Sequence, residues 1–188
     1  MSNLPVAELA ALAAALCWTF TAILAAPGVH HFGAMAFNRY RVVFAGTVLI
    51  AITSFMGLWS SVPANAIVPL IGSSLIGIVV GDTALMQALK RLGPRRNSVL
   101  FATSAPMAAG MGFIWLGETL SGDLLIGCGL ILAGVVNAVW WGRKAGGEHR
   151  LEKVSGHLGL GILLGLTAAF GQAAGAVMAK PVLLAGVD

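Results

Sequence analysis

The chain has 188 residues, 58% of them hydrophobic and only 10% charged, with a formal net charge of +4. A water-soluble domain of this length covers its surface with roughly 25% charged residues, so the composition excludes an ordinary soluble globule and points to a bilayer. The mean hydropathy of +0.91 agrees. A basic balance would suggest nucleic acid in a soluble protein. Here Lys and Arg flank apolar runs, where they set topology, and nucleic acid is excluded as a partner. Cys17 and Cys128 lie inside apolar runs and read as small hydrophobes, with neither a disulfide framework nor a CxxC metal motif.

About 20 helical residues, at 1.5 Å each, cross a hydrocarbon core of roughly 30 Å. Six runs qualify. The first covers residues 9–26 and is expected to stop at Pro27 and Gly28, a pair that denies a helix its continuation. Glu8 stands where a secretory leader carries positive charge, so this run is read as a retained helix. The second covers 42–59 and follows Asn38, Arg39, Tyr40 and Arg41. The third covers 67–89, holds Asp82, and ends at Lys90, Arg91, Gly93 and Pro94. The fourth covers 98–116 with Pro106 near its middle, and the fifth covers 124–141. The sixth covers 158–179 and is closed by Lys180 and Pro181, after the longest polar stretch of the chain at 142–156. Barrel strands alternate polar and apolar residues, whereas these runs are apolar all round, and a helix satisfies its own backbone in lipid. The expected fold is an all-α, polytopic transmembrane bundle of six spans.

Alternating the loops between two faces puts Arg39, Arg41, Lys90, Arg91, Arg95, Arg96, Arg143, Lys144, Arg150 and Lys153 together, with Lys180 alone opposite. The positive-inside rule then makes the basic loops cytoplasmic, in a cell or inner membrane. Trp59 and Trp115, and Trp140 and Trp141, fit the two aromatic belts. A weak internal repeat is also visible. LAALAAALCWTFTAILAAPGV near the start and LGILLGLTAAFGQAAGAVMAKPV near the end share small residues, an aromatic at Trp18 or Phe170, and a proline at Pro27 or Pro181. Five spans separate the two starts, so the second copy crosses in the opposite sense, the inverted-repeat arrangement of secondary transporters.

The stretch GDTALMQALKRLGPRRNSVLFATSAPMAAGMGFIWLGETLSGDLLIGCGLILAGVV resembles the EamA domain of the drug/metabolite transporter superfamily. The likeness rests on the ALKRLG end of span three, a proline inside span four, GE followed by Leu at its exit, and the GLILAGV pattern of span five. It divides the chain into a first five-helix repeat at 1–153 and a linker with the first helix of a second, incomplete repeat at 154–188. Relatives with ten spans in two such repeats make this chain look truncated, and reading the gene past Asp188 would test that. The resemblance implies secondary transport of small organic metabolites by export or exchange. The alternatives are a repeat inactive without a partner, whether a second copy or the missing second repeat, and a passive pore. No cofactor is implied.

Candidate binding residues follow from depth in the membrane. An intramembrane carboxylate costs about 2.5–3.5 kcal/mol on insertion scales, so Asp82 needs a reason. It reads either as a proton-exchanging or cation-binding group, or as the counter-ion of Arg39 or Arg41. Thr83 and Gln87 share one helix stripe, to line a polar path or to bond a neighbouring helix. Trp18 lies at mid-span, away from the belts. With Thr21 it either faces a cavity and stacks on solute or packs against another helix. Gln172, near Trp18 in the repeat, is expected to face the same centre. Pro106 removes the bond to the Ala102 carbonyl and should kink span four beside Thr103 and Ser104. The expected solute cavity is thus lined by spans one, three, four and six. Glu118 is read as fixing the turn to span five.

Small residues at i and i+4, such as Gly77 and Gly81, Gly161 and Gly165, and Gly171 and Gly175, favour close helix approach. His30, His31, His149 and His157 fall in loops with no carboxylate or cysteine set beside them, so a metal site is not expected. HExxH, GxSxG and Walker motifs are missing from the sequence, which argues against an enzyme.

Overall fold

The computed structural model describes residues 4–140 and 156–185. His149 and the basic residues Arg143, Lys144, Arg150 and Lys153 lie outside them, as does Trp141. Among the described residues the regular elements are all helical: α1 (Leu4–Phe32), α2 (Ala34–Met56), a 3₁₀ turn (Leu58–Ser61), α3 (Ala64–Ser74), a π-helical segment (Leu75–Asp82), α4 (Thr83–Phe101), α5 (Ser104–Leu116), α6 (Gly122–Trp140) and α7 (Leu158–Leu184).

From Ala64 to Phe101 the helix runs on for 38 residues. A single rod of that length would measure about 57 Å, nearly twice the hydrocarbon thickness. Gly93 breaks it, with φ 78° and ψ 167°, a backbone conformation open to glycine alone. Pro94 then starts the next rod, where its missing N–H is no loss. Leu92, fully buried, fills the notch left by Gly161, where an added Cβ would lie 2.6 Å from the leucine Cδ2. Each residue of the Leu92-Gly93-Pro94 corner therefore has its own physical task. Span three thus ends at this corner and span four comprises residues 94–101 and α5; among the described residues four helices are long and apolar enough to cross a membrane, with α5 and α6 as shorter apolar helices.

Three span ends differ from the sequence expectation. Pro27 lies inside α1, which continues to Phe32, and Pro181 lies inside α7, which continues to Leu184. A helix in lipid tolerates a proline when neighbours pack around the break. At Pro27 the neighbour is Phe37, whose ring edge packs on Gly28, with Cε2 2.5 Å from where a Cβ would be. Span two stops at Met56, because Gly57 takes the left-handed conformation at φ 69°, and Trp59 in the following turn donates its indole N–H to the Ser54 hydroxyl at 3.1 Å.

Span four breaks one turn before Pro106, at Ala102 and Thr103, where the proline's missing N–H is expected to act, and the bonds there tighten to three-residue spacing: Thr103 N–H to the Leu100 carbonyl at 3.1 Å and Ala105 N–H to the Ala102 carbonyl at 3.3 Å. The carbonyl that the proline cannot serve is thereby satisfied one residue early, and Pro106 sits in the first turn of α5, where proline is tolerated.

α7 occupies the centre of the bundle, packed along α3, the π segment, α4 and α5. It runs antiparallel to span three, and glycine meets glycine. A Cβ on Gly171 would fall 2.8 Å from Gly81 Cα, and one on Gly175 would fall 3.1 Å from Gly77 Cα. The Ser73 hydroxyl donates to the Gly175 carbonyl at 2.7 Å across the same seam. Where lipid is as apolar as the side chains, such backbone contact supplies the attraction. A second core of Ala25, Ala26, Val29, Leu85, Met86, Leu89 and Ala168 joins α1, α4 and α7, with Phe37 and Phe101 packed on it.

On the face opposite the Gly93 corner, Gly117 turns the chain at φ 67°. The Glu118 carboxylate lies over Gly112 and pairs with Lys180 of α7 at 2.5 Å. Both side chains remain well exposed, at 45% and 39%, and exposed pairs contribute at most about 1 kcal/mol. Lys180→Ala is accordingly expected to shift the thermal midpoint of the detergent-solubilised protein by only a few degrees. A collapse of the fold would show that this pair matters far more than its exposure implies.

Candidate functional site

Of the concave regions among the described residues, two bear on a solute site, and a third of about 210 Å³ lies between the start of α3 and the end of α7. The larger, about 500 Å³, is an open groove lined by Val42, Val62, Ile67, Leu70, Ile71, Leu75, Ile78 and Val79 with Ser74. Walls of this kind offer almost nothing to orient a polar solute, and an acyl chain or a neighbouring helix suits them as well. The smaller, about 20 Å³, is enclosed by Trp18, Thr21, Ala22 and Ala25 of α1, Arg41 of α2, Leu85, Met86 and Leu89 of span three, and Asn97, Ser98 and Phe101 of span four. It has room for a single water-sized group. Its convergent polar groups among apolar walls are the features expected of a binding site.

The Gly93 corner builds this cavity. By folding span four back beside span three it turns Asn97 inward, where it is 3% exposed, and its Oδ1 finds no hydrogen-bond partner. Arg41 faces the same space and its buried Nε is likewise unpartnered. The rest of the guanidinium is engaged. Its Nη2 donates to Asp82 in an ion pair and to Asn38 Oδ1 at 3.2 Å, and Asn38 Nδ2 donates to the Thr83 hydroxyl at 3.4 Å. Spans two and three are thus tied by a chain of four polar side chains inside an otherwise apolar bundle. At the other end Trp18 stacks on Phe101, ring centroids 5.5 Å apart and planes at 18°.

The sequence candidates distribute unevenly around this centre. Trp18 and Thr21 line the cavity, although Trp18 keeps 43% of its surface and Thr21 donates its hydroxyl to the Cys17 carbonyl at 2.8 Å. Asp82 stands behind Arg41 as its counter-ion, and Thr83 ends the polar chain. Gln87 is half-buried and forms no part of the wall. Thr103 is buried and donates to the Leu100 carbonyl at 2.7 Å, and neither it nor Pro106 reaches the cavity. Gln172 is exposed on α7, away from the cavity. Span six is therefore not a wall and span two is, a correction with a clear cause. Along Gly77–Gly81 and Gly171–Gly175 the seam brings α7 and span three backbone to backbone, and space of about 210 Å³ opens only at their far ends, between Pro63, Asn65 and Ala66 and Pro181, Val182 and Ala185. Among the described residues no three His, Cys, Asp or Glu side chains gather as a metal-holding group.

The model of the EamA-like transporter family matches residues 5–140, from α1 to the end of α6. The chain belongs to the EamA-like transporter family. Searches among curated proteins and among solved structures returned no match. As a family member it is a membrane protein with a general transporter role, and α7 lies beyond the matched region.

In this EamA-like chain, sequence reasoning missed Asn38, Asn97 and Phe101 as site residues and saw Arg41 only as a loop charge or a partner for Asp82, not as a cavity wall. Asn97 follows Arg95 and Arg96, a context that reads as a loop at the interface, and nothing in it signals a corner that returns the residue to the interior. Asn38 offered one clue. Residues 38 and 41 lie one helical turn apart, so an amide and a guanidinium at the head of an apolar span share one face.

Proposed function

We propose that this EamA-like chain carries a small organic solute across the membrane by alternating access, and that the cavity between α1, α2 and the two arms of α4 is the closed core of its solute site. One observation carries the reading. Asn97, almost fully buried and with its side-chain carbonyl unpartnered, lines a cavity that Arg41 lines too. A buried acceptor left unmet costs roughly 1–3 kcal/mol, a cost a purely structural bundle avoids by placing Leu there. The Arg41–Asp82 pair is the bond between spans two and three that opening must loosen, and Asp82 is the group through which a proton would couple to that step. The basic loops face the cytoplasm of a cell membrane in this reading.

The test is uptake into proteoliposomes across a panel of labelled metabolites. A carrier saturates and shows counterflow, with Trp18→Ala raising the half-saturation concentration about fivefold, equivalent to about 1 kcal/mol of aromatic contact. Flux that rises linearly with concentration and shows no counterflow would instead mark a passive pore.

A second reading, that the chain acts only beside a partner, has its own support. α6 rests lightly on α4 and α5, and the space beside Gly127, Gly129 and Gly134 is open. Disulfide crosslinking through Gly129→Cys in membranes would trap a dimer if a second copy covers this face. A product that stays monomeric counts against it.

A further inference from the structure

The proposed solute site says nothing yet about which solute, and its polar inventory narrows the choice. Resting on the transport reading for the route by which a solute arrives, we infer that the cavity between Arg41 and Asn97 is a hydroxyl site, selecting an uncharged hydroxyl-bearing group over an anion or a cation. Two orphaned atoms define it. Arg41 Nε–H is a donor without an acceptor, and Asn97 Oδ1 is an acceptor without a donor. Both residues line one cavity of about 20 Å³. A group that answers both at once must accept one hydrogen bond and donate another within the space of one water, and a hydroxyl does this with a single oxygen.

Charge excludes the other candidates. Arg41 is the one charged residue in the wall, and Asp82 already neutralises it. A carboxylate would compete with Asp82 for the guanidinium and set a negative oxygen against the Asn97 carbonyl. An ammonium would meet the guanidinium itself. Thr21 has already committed its proton to the Cys17 carbonyl, so it offers the ligand an acceptor and no donor. The hydroxyl arrives either as water or as part of a solute whose apolar portion lies toward the Trp18–Phe101 stack, and the chemistry at the two orphaned atoms is the same.

Ser98 lines this cavity while remaining exposed, which makes it a reporter. In the full chain with Cys17→Ala and Cys128→Ala, Ser98→Cys is placed in liposomes and labelled with the hydroxyethyl, ethyl, sulfonatoethyl and ammonioethyl methanethiosulfonates. Each rate is normalised to a water-exposed cysteine. The hydroxyethyl reagent should react about fivefold faster than the ethyl reagent, the worth of one net hydrogen bond, and faster still than either charged one. Asn97→Leu should erase the advantage over ethyl. So should Arg41→Lys, which removes the Nε donor and keeps a charge for Asp82; this second variant keeps the test decisive if Asn97→Leu does not fold. Asp82→Asn, by leaving Arg41 bare, should turn the preference toward the sulfonate. Slowing by glycerol identifies a solute hydroxyl as the occupant, and hydroxyl selectivity untouched by glycerol identifies water. Preference for a charged reagent in the otherwise unaltered site, equal hydroxyethyl and ethyl rates, or no labelling of the folded protein overturns the inference. Labelling needs no transport. Selective labelling without solute uptake would therefore fault the transport reading and leave the site standing, and saturable uptake without selectivity would do the reverse.

Discussion

Asp82→Asn is expected to cost the protein about 2–3 kcal/mol and most of its uptake, because it strands Arg41 inside the membrane. Removing one partner of a buried pair typically costs 3–5 kcal/mol, and the lower figure applies here because the two side chains retain 27% and 17% of their surface. The loss falls on Arg41 and spreads. Without Asp82 the guanidinium keeps only Asn38 among its described partners, so the tie from span two to span three through Thr83 also slackens. Thermal unfolding followed by circular dichroism in detergent reads the first effect, and proteoliposome uptake across a pH series reads the second. Combining Arg41→Gln with Asp82→Asn should recover more than half of the lost stability, because two neutral amides can bond where one bare charge cannot. The outcomes separate the two roles of Asp82. Lost uptake with unchanged melting would make it a coupling group and deny it a structural one. Unchanged uptake, with the same pH dependence, would remove proton exchange through Asp82.

Gly171→Ala is expected to be the most damaging single methyl group in the chain. Its Cβ would lie 2.8 Å from Gly81 Cα and 2.9 Å from the Ile76 carbonyl oxygen, both backbone atoms that no rotamer change can move. The helices must separate, which loosens the seam along which α7 meets span three, at an expected cost of about 2–3 kcal/mol. Gly129→Ala and Gly46→Ala are the controls. Both sites are helical and have nothing within 4 Å of an added Cβ, so each should be neutral or slightly stabilising through helix propensity. If all three variants melt together, the glycine seam does not hold α7.

How far each feature was legible depended on how local its cause was. The hydrophobic runs were legible because lipid leaves the backbone one solution, and each of the six runs has its helix among the described residues. Their ends were less so. Pro27 and Pro181 are strong stop signals in water, yet Phe37 lying on Gly28 carries α1 past the first of them. The small-residue pairs Gly77 and Gly81, and Gly171 and Gly175, were visible as contact faces by spacing alone, whereas which helix each would meet was not. The site suffered most. Thr83 and Gln87 do keep α-helical spacing, because the π segment ends at Asp82, but spacing along one helix could not show that Thr83 meets Asn38 of span two or that Gln87 stays outside the cavity wall.

By itself the sequence determined that the chain is a helical membrane protein of the EamA kind, since composition, run length and the ALKRLG, GE and GLILAGV patterns are properties of contiguous residues. Only the tertiary structure decided that Arg41 and Asn97, 56 positions apart, share one cavity, that Asp82 belongs to Arg41, and that α7 fills the centre in place of lining it. The reason is physical. Partition into lipid is a sum over neighbouring residues and can be read in order along the chain. Which polar groups meet inside the bundle depends on a corner at Gly93 and a seam of backbone against backbone, and each of these acts between segments remote in sequence.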